Sequence, residues 1–421
     1  MEKFVVEGGV RLQGQVRISG AKNASLALMP ATLLAPGTYR LANTPNLRDV
    51  RTMAQLLGEM GVACQLHPDG TCIIDSRTVT SFEAPYEQVK KMRASFYVLG
   101  PLLARYGYAR VSLPGGCAWG PRPVDLHLKG LEKLGADIRL ERGYVVAKAT
   151  RLRGTHIHLD VPSVGATGNL LMAAVLAEGT TVITNAAVEP EIQSLAEMLV
   201  AMGAHIEGIG TPTLRIEGVS ELHPADVTTI PDRIEAGTFL VAAAMTRGTV
   251  QLLDVDPSLL TAVLAKLEEA GCQLETGTDT ITITMEDAPR PTDVTTAPYP
   301  GFPTDMQAQW TAFMTLAPGT SRITDTIFHD RFKHVPELVR LGADIQVVDN
   351  TAIVNGGTPL MGAKVMSTDL RASAALILAA LVAENTSEIL RIYHIDRGYE
   401  RIEEKLQALG ARIQRVATDE F

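Results

Sequence analysis

Residues 131–138 read LEKLGADI, and this pattern of an amphipathic run, a glycine, a small residue and an apolar residue recurs along the chain. A glycine between an amphipathic run and an alternating run is typical of a helix C-cap followed by a strand. The other copies are LLGEMGVAC at 56–64, LVAMGAHI at 199–206, LEEAGCQL at 267–274, LVRLGADI at 338–345 and LQALGARI at 406–413. Their glycines are Gly61, Gly135, Gly203, Gly271, Gly342 and Gly410, at spacings of 74, 68, 68, 71 and 68 residues. The pattern therefore predicts six repeated units.

A second marker residue recurs once in each unit, in step with the first, and precedes a strand. Glycine and asparagine both tolerate the left-handed conformation of a helix cap. The marker residues are Gly37, Gly107, Gly179, Gly248, Gly319 and Asn385. An Ala-rich helix such as NASLALMPATLLA (23–35) precedes the marker, and a hairpin such as QLETGTDTITIT (273–284) closes the unit. Each unit is thus predicted as strand, helix, strand, helix, strand, strand, with the first helix buried because it is apolar nearly all round.

The sixth unit stops one hairpin strand short, at ARIQRVATDEF. The N-terminal segment KFVVEGG (3–9) has the alternation of the missing strand, and VRIS (16–19) resembles a unit-opening strand. We therefore expect residues 1–21 to pair with the last unit. This gives an α/β protein of two domains, 22–230 and 231–421 with 1–21. A solenoid of stacked repeats is disfavoured because a repeat of this length is long for one.

The composition of the chain excludes several classes of function. With 46% hydrophobic and 20% charged residues the chain is globular, and its net charge of −9 argues against an extended nucleic-acid-binding surface. No signal peptide fits the charged N-terminus, and the longest apolar stretch is too short to cross a bilayer. The four cysteines show no zinc spacing and no disulfide framework. We expect a cytoplasmic, monomeric protein that binds neither nucleic acid, membrane nor metal.

The predicted starts of the buried helices carry polar or charged residues. Capping explains the acidic and hydroxyl residues, since helix N-termini favour them, but a positive charge there opposes the helix dipole. An anion bound at these helix starts would reverse that cost, so the pattern predicts an anion-binding site. Capping covers Ser163, Asp232, Asp305 and Asp369; the basic residues are Lys22, next to Asn23, and Arg93, Arg233 and Arg371.

The loop SLPGGCAWGPRPVDLHLKG, residues 112–130, is the second unusual feature. It is rich in glycine and proline, and Cys117 near its centre lies close to Arg122. A nearby base lowers the pKa of a thiol, so we interpret Cys117 as a reactive thiol on a lid. The alternative of a small buried hydrophobe fits the other three cysteines, which are Cys64, Cys72 and Cys272.

A third cluster follows the second strand of several units. Arg331 and Arg397 precede helices there, and Glu189 holds a comparable position in the third unit. Arg331 is equally well explained as a solvated surface residue. Arg397 is the stronger candidate because Asp396 and Gly398 form a turn around it.

Taken together, these residues resemble the enolpyruvyl transferase family. The resemblance runs nearly from end to end, and its most specific stretches are SGAKN (19–23), LPGGCAWGPRPVDLH (113–127), PDRIEAGTFLVAAA (231–244), FPTDMQAQ (302–309), DLRAS (369–373) and HIDRGYERIE (394–403). It implies an inside-out α/β barrel of two lobes with three units each. It also implies transfer of the enolpyruvyl group of phosphoenolpyruvate to the 3-hydroxyl of UDP-N-acetylglucosamine, without a cofactor, at the first committed step of peptidoglycan synthesis.

The resemblance also implies a role for each matching residue. Cys117 would donate a proton to the methylene carbon of phosphoenolpyruvate, and Asp305 would accept the proton of the sugar hydroxyl. The phosphoenolpyruvate site would comprise Lys22, Asn23, Arg122 and Arg397. The sugar-nucleotide site would comprise Arg93, Arg122, Pro123, Val124, Asp125, Leu126, His127, Ser163, Val164, Gly165, Asp305 and Ile327. Supporting positions would be Glu189, Asp232, Arg233, Arg331, Asp369 and Arg371.

One position departs from the family pattern. Some members carry a lysine just before the Ser-Val-Gly run, where this chain has Asp160-Val161-Pro162. We therefore expect a weaker hold on the diphosphate, or compensation elsewhere.

The alternatives to this function are transfer to shikimate 3-phosphate, a non-catalytic sugar-nucleotide sensor on the same fold, and a protein-binding repeat scaffold.

Overall fold

The computed structural model describes residues 1–115 and 124–421, and these residues form six four-stranded sheets. All six sheets have one order: an edge strand lies parallel to a central strand, which is followed by two antiparallel strands. The sheets are given in the chain order of their central strands, and the strands of each sheet are given from the parallel edge strand across. They are Val227–Thr228, Thr38–Ala42, Cys72–Asp75, Ala63–Leu66; Glu83–Ala84, Tyr108–Ser112, Tyr144–Lys148, Asp137–Glu141; His156–His158, Thr180–Thr184, Leu214–Glu217, His205–Glu207; Gln13–Arg17, Thr249–Leu253, Thr280–Thr284, Gln273–Thr276; Val294–Thr295, Gly319–Thr324, Thr351–Gly356, Asp344–Val348; and Lys364–Met366, Thr386–Leu390, Glu2–Glu7, Arg412–Ala417. The repetition confirms the six predicted units.

Two kinds of helix connect these strands. The inner helices are buried over almost their whole length, except for the half-buried last turn of Leu99–Tyr106, whereas the outer ones bury one face. The inner helices are Lys22–Ala31, Leu99–Tyr106, Val164–Ala174, Arg233–Met245, Gln307–Met314 and Leu370–Val382. The outer helices are Arg48–Glu59, Asp125–Lys133, Pro190–Ala201, Thr261–Glu269, His334–Arg340 and Ile402–Ala408. Short additional turns are the α-helix Tyr86–Val89 and the 3-10 helices Thr32–Leu34, Arg93–Val98, Pro257–Leu259, Thr304–Met306 and Ile392–Arg397.

The inner helices give the fold its inside-out character, with helices at the centre of each set of three sheets. Arg233–Met245, Gln307–Met314 and Leu370–Val382 all pack on one another. Leu99–Tyr106 packs on Val164–Ala174 in the same way. Because apolar side chains point outward all round such a helix, it is stable only when other elements surround it. The predicted inside-out α/β barrel architecture is confirmed.

The first set of markers lies at helix ends, and of the second set Gly107 is the C-cap of its inner helix. Each of the six glycines from Gly61 to Gly410 has a φ between 96° and 107°, two residues after the last residue of an outer helix. Of the second markers, Gly248 is the exception, because it does not adopt a positive φ. A Cβ at Gly248 would overlap the carbonyl oxygen of Leu12, so close packing rather than a left-handed conformation requires glycine there.

The chain separates into two compact units, each with its own hydrophobic core. Among the described residues, one unit comprises Met1–Ser19 and Pro231–Phe421, and the other comprises 20–115 and 124–230. We expected a division at residues 21 and 230. The strand Glu2–Glu7 lies between Thr386–Leu390 and Arg412–Ala417, where it supplies the strand missing from the sixth unit, as predicted.

The expectation that residues 1–21 pair only with the last unit is wrong for the second strand. Gln13–Arg17 runs parallel to Thr249–Leu253 and belongs to the sheet of the fourth unit. In return, Val227–Thr228, which opens the fourth unit in sequence, runs parallel to Thr38–Ala42 of the first. The two opening strands are therefore exchanged where the chain passes between the compact units.

Candidate active site

Three of the polar residues at the inner helix starts are caps. The Ser163 hydroxyl accepts from the backbone N–H of Ala166 at 3.2 Å. The carboxylates of Asp232 and Asp369 each accept two backbone N–H groups of their own helix, at 2.9 and 3.0 Å. Such bonds satisfy donors that the helical ladder leaves open. The capping interpretation is confirmed for these three residues, and it is wrong for Asp305.

Asp305 lies in the 3-10 turn Thr304–Met306 and makes ion pairs instead of a cap. Its two carboxylate oxygens lie 2.9 Å from Nη2 of Arg331 and 3.5 Å from Nη2 of Arg371. The two arginine side chains are 5% and 4% exposed, whereas that of Asp305 is 26% exposed. Two adjacent guanidinium groups favour the ionised carboxylate. The site thus presents one solvent-accessible carboxylate held by two buried guanidinium groups. The interpretation of Arg331 as a solvated surface residue is wrong.

A buried carboxylate that the sequence did not indicate fixes this arrangement. Asp325 is 0% exposed and accepts from the backbone N–H groups of Ile327 and Phe328, both at 2.9 Å. It also accepts from the Thr304 hydroxyl at 2.7 Å, and that hydroxyl accepts from Nη1 of Arg331 at 3.0 Å. Asp325 therefore positions both the loop that carries Ile327, a residue 38% exposed, and the arginine that holds Asp305.

Arg371 is held from its other side by an aromatic residue. Its guanidinium carbon lies 5.3 Å from the ring centroid of Tyr399, within the range of a cation–π contact. The Tyr399 hydroxyl is 2.7 Å from the Thr238 hydroxyl and accepts from Nε2 of Gln309 at 3.3 Å. Burial raises the pKa of Tyr399, so the phenol stays protonated. Tyr399, Thr238 and Gln309 are further residues that we did not predict.

Lys22 begins its inner helix beside an internal acid. Its Nζ lies 3.2 Å from Oδ2 of Asp49, and the two side chains are 11% and 3% exposed. The preceding residue, Ala21, offers no side-chain cap. Asp49 therefore supplies part of the negative charge that we expected from a bound anion alone.

The Arg397 turn is anchored on both sides, as its sequence suggested. The carboxylate of Asp396 accepts two bonds from the Arg415 guanidinium, at 2.6 and 2.9 Å. A Cβ at Gly398 would lie 2.6 Å from a methyl carbon of Leu370, so this glycine packs closely against the Leu370 side chain. Arg397 is thereby held half-buried between two fixed neighbours.

His127 and Arg93 lie near each other in the other compact unit. His127 is 6% exposed, and its ring is edge-on to Phe96 with centroids 5.0 Å apart. Burial, with a further contribution from Arg93, lowers the pKa of His127 to about 3, so this imidazole is neutral. A Cβ built on Gly165 would lie 3.2 Å from Nε2 of His127, which places the ring against the start of Val164–Ala174.

The remaining predicted residues occupy separate positions. Asn23 is the second residue of its inner helix, and Glu189 directly precedes Pro190–Ala201. Arg233 lies over the ring of Tyr299, 5.4 Å from its centroid. Val124 is buried, Asp125 begins the following outer helix, and Leu126 is half-buried. Cys117, Arg122 and Pro123 lie outside the described residues, as does the centre of the predicted loop 112–130. The prediction of a loop is wrong for its last part, because the helix Asp125–Lys133 begins there.

Of the other cysteines, Cys72 and Cys272 are buried and Cys64 is half-buried. Burial raises the pKa of Cys64 and Cys272 to about 12 and that of Cys72 to about 11, so their thiols stay protonated. This confirms the structural interpretation of these three residues. In residues 1–115 and 124–421, no cluster of three metal-ligating side chains occurs, and no helix is long and apolar enough to cross a membrane.

Comparisons with known proteins agree with this architecture. The family model described as EPSP synthase (3-phosphoshikimate 1-carboxyvinyltransferase) matches residues 6–406. A UDP-N-acetylglucosamine 1-carboxyvinyltransferase of Chlorobium chlorochromatii is 58% identical, with both chains covered over 100% of their length. The protein of the same name from Chloroherpeton thalassium is also 58% identical, over 100% of this chain and 99% of the relative.

Two solved structures share the fold. The enolpyruvyl transferase NikO from Streptomyces tendae superposes with a TM-score of 0.90 at 28% identity, over 98% of each chain. An EPSP synthase from Acinetobacter baumannii superposes with a TM-score of 0.74 at 21% identity, over 99% of this chain and 100% of that one.

Proposed function

Since the chain belongs to the EPSP synthase family of enolpyruvyl transferases, we infer that it transfers an enolpyruvyl group from phosphoenolpyruvate to the 3-hydroxyl of UDP-N-acetylglucosamine. The products are the enolpyruvyl ether of the sugar nucleotide and phosphate. The observation that carries the choice of acceptor is the 58% identity, over the whole chain, to relatives that bear this name. The reaction commits the sugar nucleotide to peptidoglycan synthesis in the cytoplasm.

The reaction is an addition followed by an elimination, and the atoms balance without a redox partner. The sugar oxygen bonds to C2 of phosphoenolpyruvate while C3 gains a proton, which gives a tetrahedral ketal. Loss of a proton from the methyl carbon and departure of phosphate then restore the double bond. The protein must therefore accept a proton from the hydroxyl, supply one to carbon, and bind the phosphate and carboxylate.

Asp305 is our candidate for the proton acceptor. A general base must be reachable and must lie where its ionised form is favoured. The carboxylate of Asp305 is 26% exposed and lies beside two guanidinium groups. Arg331 and Arg371 hold it in one orientation from their buried positions. Orientation of this kind lets the carboxylate meet the hydroxyl without a search among rotamers. Asp369, through its cap bond to the backbone N–H of Arg371, supports the same geometry.

The donor substrate carries a phosphate and a carboxylate, and the proposed contacts match both. We assign phosphoenolpyruvate binding to Lys22, Asn23, Arg122 and Arg397, because guanidinium and ammonium groups bind such anions through charge-assisted hydrogen bonds. The rigid Arg397 turn and the buried Lys22–Asp49 pair support two of these assignments. Cys117 is assigned proton delivery to carbon on the strength of the family resemblance.

The nucleotide is assigned to the compact unit that holds His127. Arg93, residues 122–127 and the helix start at 163–165 are proposed to contact the uridine and diphosphate, with Ile327 and Asp305 meeting the sugar. Free backbone N–H groups at a helix N-terminus favour phosphate oxygens. Glu189, Asp232 and Arg233 are assigned supporting roles only.

The proposal is tested by the chemical identity of the product. Incubation with both substrates should yield a sugar nucleotide whose mass has increased by one enolpyruvyl group. Proton–carbon correlation spectroscopy should place that group on O3 of the glucosamine ring. An unchanged sugar nucleotide, or substitution at another hydroxyl, would overturn the assigned reaction.

A further inference from the structure

Asn169 is buried in the inner helix Val164–Ala174, and its side-chain amide has one possible orientation. Its Oδ1 accepts from the backbone N–H of Gly100 at 2.9 Å. Its Nδ2 donates to the carbonyl oxygen of Phe96 at 3.1 Å. A flipped amide would set N–H against N–H and oxygen against oxygen, so these two backbone groups identify the Asn169 nitrogen as the group that can only donate.

The second hydrogen of that nitrogen determines the protonation of a neighbouring imidazole. Nδ2 of Asn169 lies 2.9 Å from Nδ1 of His127. Since Nδ2 can only donate, Nδ1 must accept, and the single proton of the neutral ring must lie on Nε2. A charged imidazolium would place two donors against each other at this distance. Burial and Arg93 also oppose the charged form, while Asp125, on the same helix as His127, favours it.

The Nε2 edge of the ring faces the start of the inner helix. A Cβ on Gly165 would lie 3.1 Å from Cε1 and 3.2 Å from Nε2, closer than such contacts usually come. Within the part of the chain that the structure describes, no hydrogen bond joins Nε2 of His127 to another residue. The ring is 6% exposed, and its Nε2 edge lies against the first turn of the helix. There the N–H groups of Val164 and Gly165 precede the helical ladder.

We propose that Asn169 is a positioning residue that holds His127 in the Nε2–H tautomer. This nitrogen and the N–H groups at the helix start then form a subsite of hydrogen-bond donors for a diphosphate oxygen. The inference rests on the proposed function, because it takes UDP-N-acetylglucosamine as the ligand. It adds a donor that remains neutral and of fixed direction across the physiological pH range. Such a site recognises acceptors without requiring a protonation step on binding.

The tautomer is measured directly by nuclear magnetic resonance on protein with 13C- and 15N-labelled histidine. The His127 signals are assigned by their loss in His127→Gln. In the ligand-free wild-type protein we expect neutral Nε2–H from pH 8 to pH 5. Asn169→Asp replaces the donor by an acceptor, and we expect it to move the proton to Nδ1 or to give the imidazolium. An Nδ1–H tautomer in the wild type would overturn the proposal.

Binding provides a second, independent readout. Asn169→Asp should raise the dissociation constant of UDP about tenfold, the loss of one good hydrogen bond. It should change that of uridine much less, because uridine lacks the diphosphate. Asn385→Asp adds the same charge at an exposed left-handed position of the other compact unit and should leave both constants unchanged. An equal loss for UDP and uridine would overturn the assignment to the diphosphate.

A pair of substitutions at His127 keeps the proposal testable if Asn169→Asp does not fold. The amide of glutamine can donate from nearly the position of Nε2, whereas leucine fills the space without a donor. His127→Gln should therefore retain most of the UDP affinity that His127→Leu loses. Equal losses would contradict the donor role, and failure of the wild type to bind UDP-N-acetylglucosamine at all would contradict the proposed function instead.

Discussion

At the scale of single residues, the site depends on carboxylates whose charge is balanced by buried arginines or lysines. Asp305 between Arg331 and Arg371 is the most exposed member of its cluster, and its partners are nearly inaccessible. Removing one member of a buried ion pair leaves the other charge uncompensated, which is costly. A substitution at Asp305 therefore needs the thermal unfolding midpoint measured beside the activity, because it leaves two buried guanidinium groups without their carboxylate.

Asp305→Asn should leave the protein folded and lower kcat by about 10²- to 10⁴-fold, the usual contribution of a positioned general base. The amide keeps the shape of the side chain but loses its negative charge, and with it both the capacity to take a proton and the ion pairs to Arg331 and Arg371. Steady-state phosphate release measures kcat, and Asp344→Asn, an exposed position of the same compact unit, is the matched control. Full activity of Asp305→Asn would rule out the assigned role.

Val161 is 55% exposed at the position where some family members carry lysine. Val161→Lys should lower the KM for UDP-N-acetylglucosamine by about three- to tenfold at low salt, because a partly exposed charge pair contributes about 1 kcal/mol. The gain should shrink in high salt, whereas Val161→Gln should show none. A KM unaffected by the lysine would place the diphosphate elsewhere.

Thiol reactivity should be confined to Cys117. The raised pKa values of Cys64, Cys72 and Cys272 leave them without appreciable thiolate at neutral pH. Treatment with a thiol-directed epoxide such as fosfomycin should modify Cys117 alone and inactivate the enzyme, faster when the sugar nucleotide is present. Peptide mass spectrometry identifies the labelled residue. Labelling of another cysteine with Cys117 untouched would contradict the lid-thiol assignment.

The sequence indicated the residues whose local context is unusual, such as caps at helix starts and Arg397 in its tight turn. It could not indicate Asp49, Asp325 or Asn169, because their importance comes from partners that are distant in the chain. Asn169 contacts His127 across 42 residues and Phe96 across 73. A buried polar residue in an apolar helix is the one local signal that points to it.

At the scale of elements, glycine is required for two different reasons: a left-handed backbone conformation and close packing. The outer helices end at glycines in the left-handed conformation, and this recurring signal made the six units visible in the sequence. Gly248 belongs to the second set of markers, and it is required for close packing against the backbone of Leu12. Glycine at a recurring position of the repeats is therefore not always required for the same physical reason.

Two glycine substitutions should have opposite effects on stability. Gly248→Ala forces its new methyl group into the Leu12 carbonyl oxygen and should lower the thermal unfolding midpoint by several degrees. Gly58→Ala lies inside the helix Arg48–Glu59 with no neighbour within 4 Å and should raise the stability by about 0.5–1 kcal/mol. Calorimetry on both variants measures the two effects. Stabilisation by Gly248→Ala would show that the packing argument is wrong.

The exchange of opening strands was beyond the sequence pattern for physical reasons. Val227–Thr228 has two residues, too few to show a period of two, and its partner Thr38–Ala42 lies in a distant unit. Gln13–Arg17 is longer, but only its place in the sheet beside Thr249–Leu253 shows which unit it completes. Pattern predicts the existence of a strand, whereas pairing depends on tertiary packing.

At the scale of the whole molecule, two buried histidines make stability depend on pH. Burial lowers the pKa of His127 to about 3 and that of His334 to about 4, whereas both titrate near 6.5 in the unfolded chain. Between pH 6.5 and about 4 the unfolded chain thus binds protons that the folded chain does not. The stability is fully present above pH 6.5 and falls as the pH falls.

The thermal unfolding midpoint should accordingly drop between pH 7.5 and pH 5. The drop should be smaller in His127→Gln and in His334→Gln, since neither variant protonates that side chain on unfolding. His205→Gln, at an exposed position, should retain the wild-type difference. A midpoint that is equally pH-sensitive in all three variants would show that these histidines are not responsible.

The central claim concerns the whole chain: a protein of two compact units that uses phosphoenolpyruvate as donor and a sugar nucleotide as acceptor. Its most direct test is phosphate release from phosphoenolpyruvate, measured with UDP-N-acetylglucosamine, with shikimate 3-phosphate and with neither. We predict release with the sugar nucleotide alone. Release with shikimate 3-phosphate instead would keep the fold and the donor but contradict the acceptor, and no release with either would contradict the assignment of an enzyme.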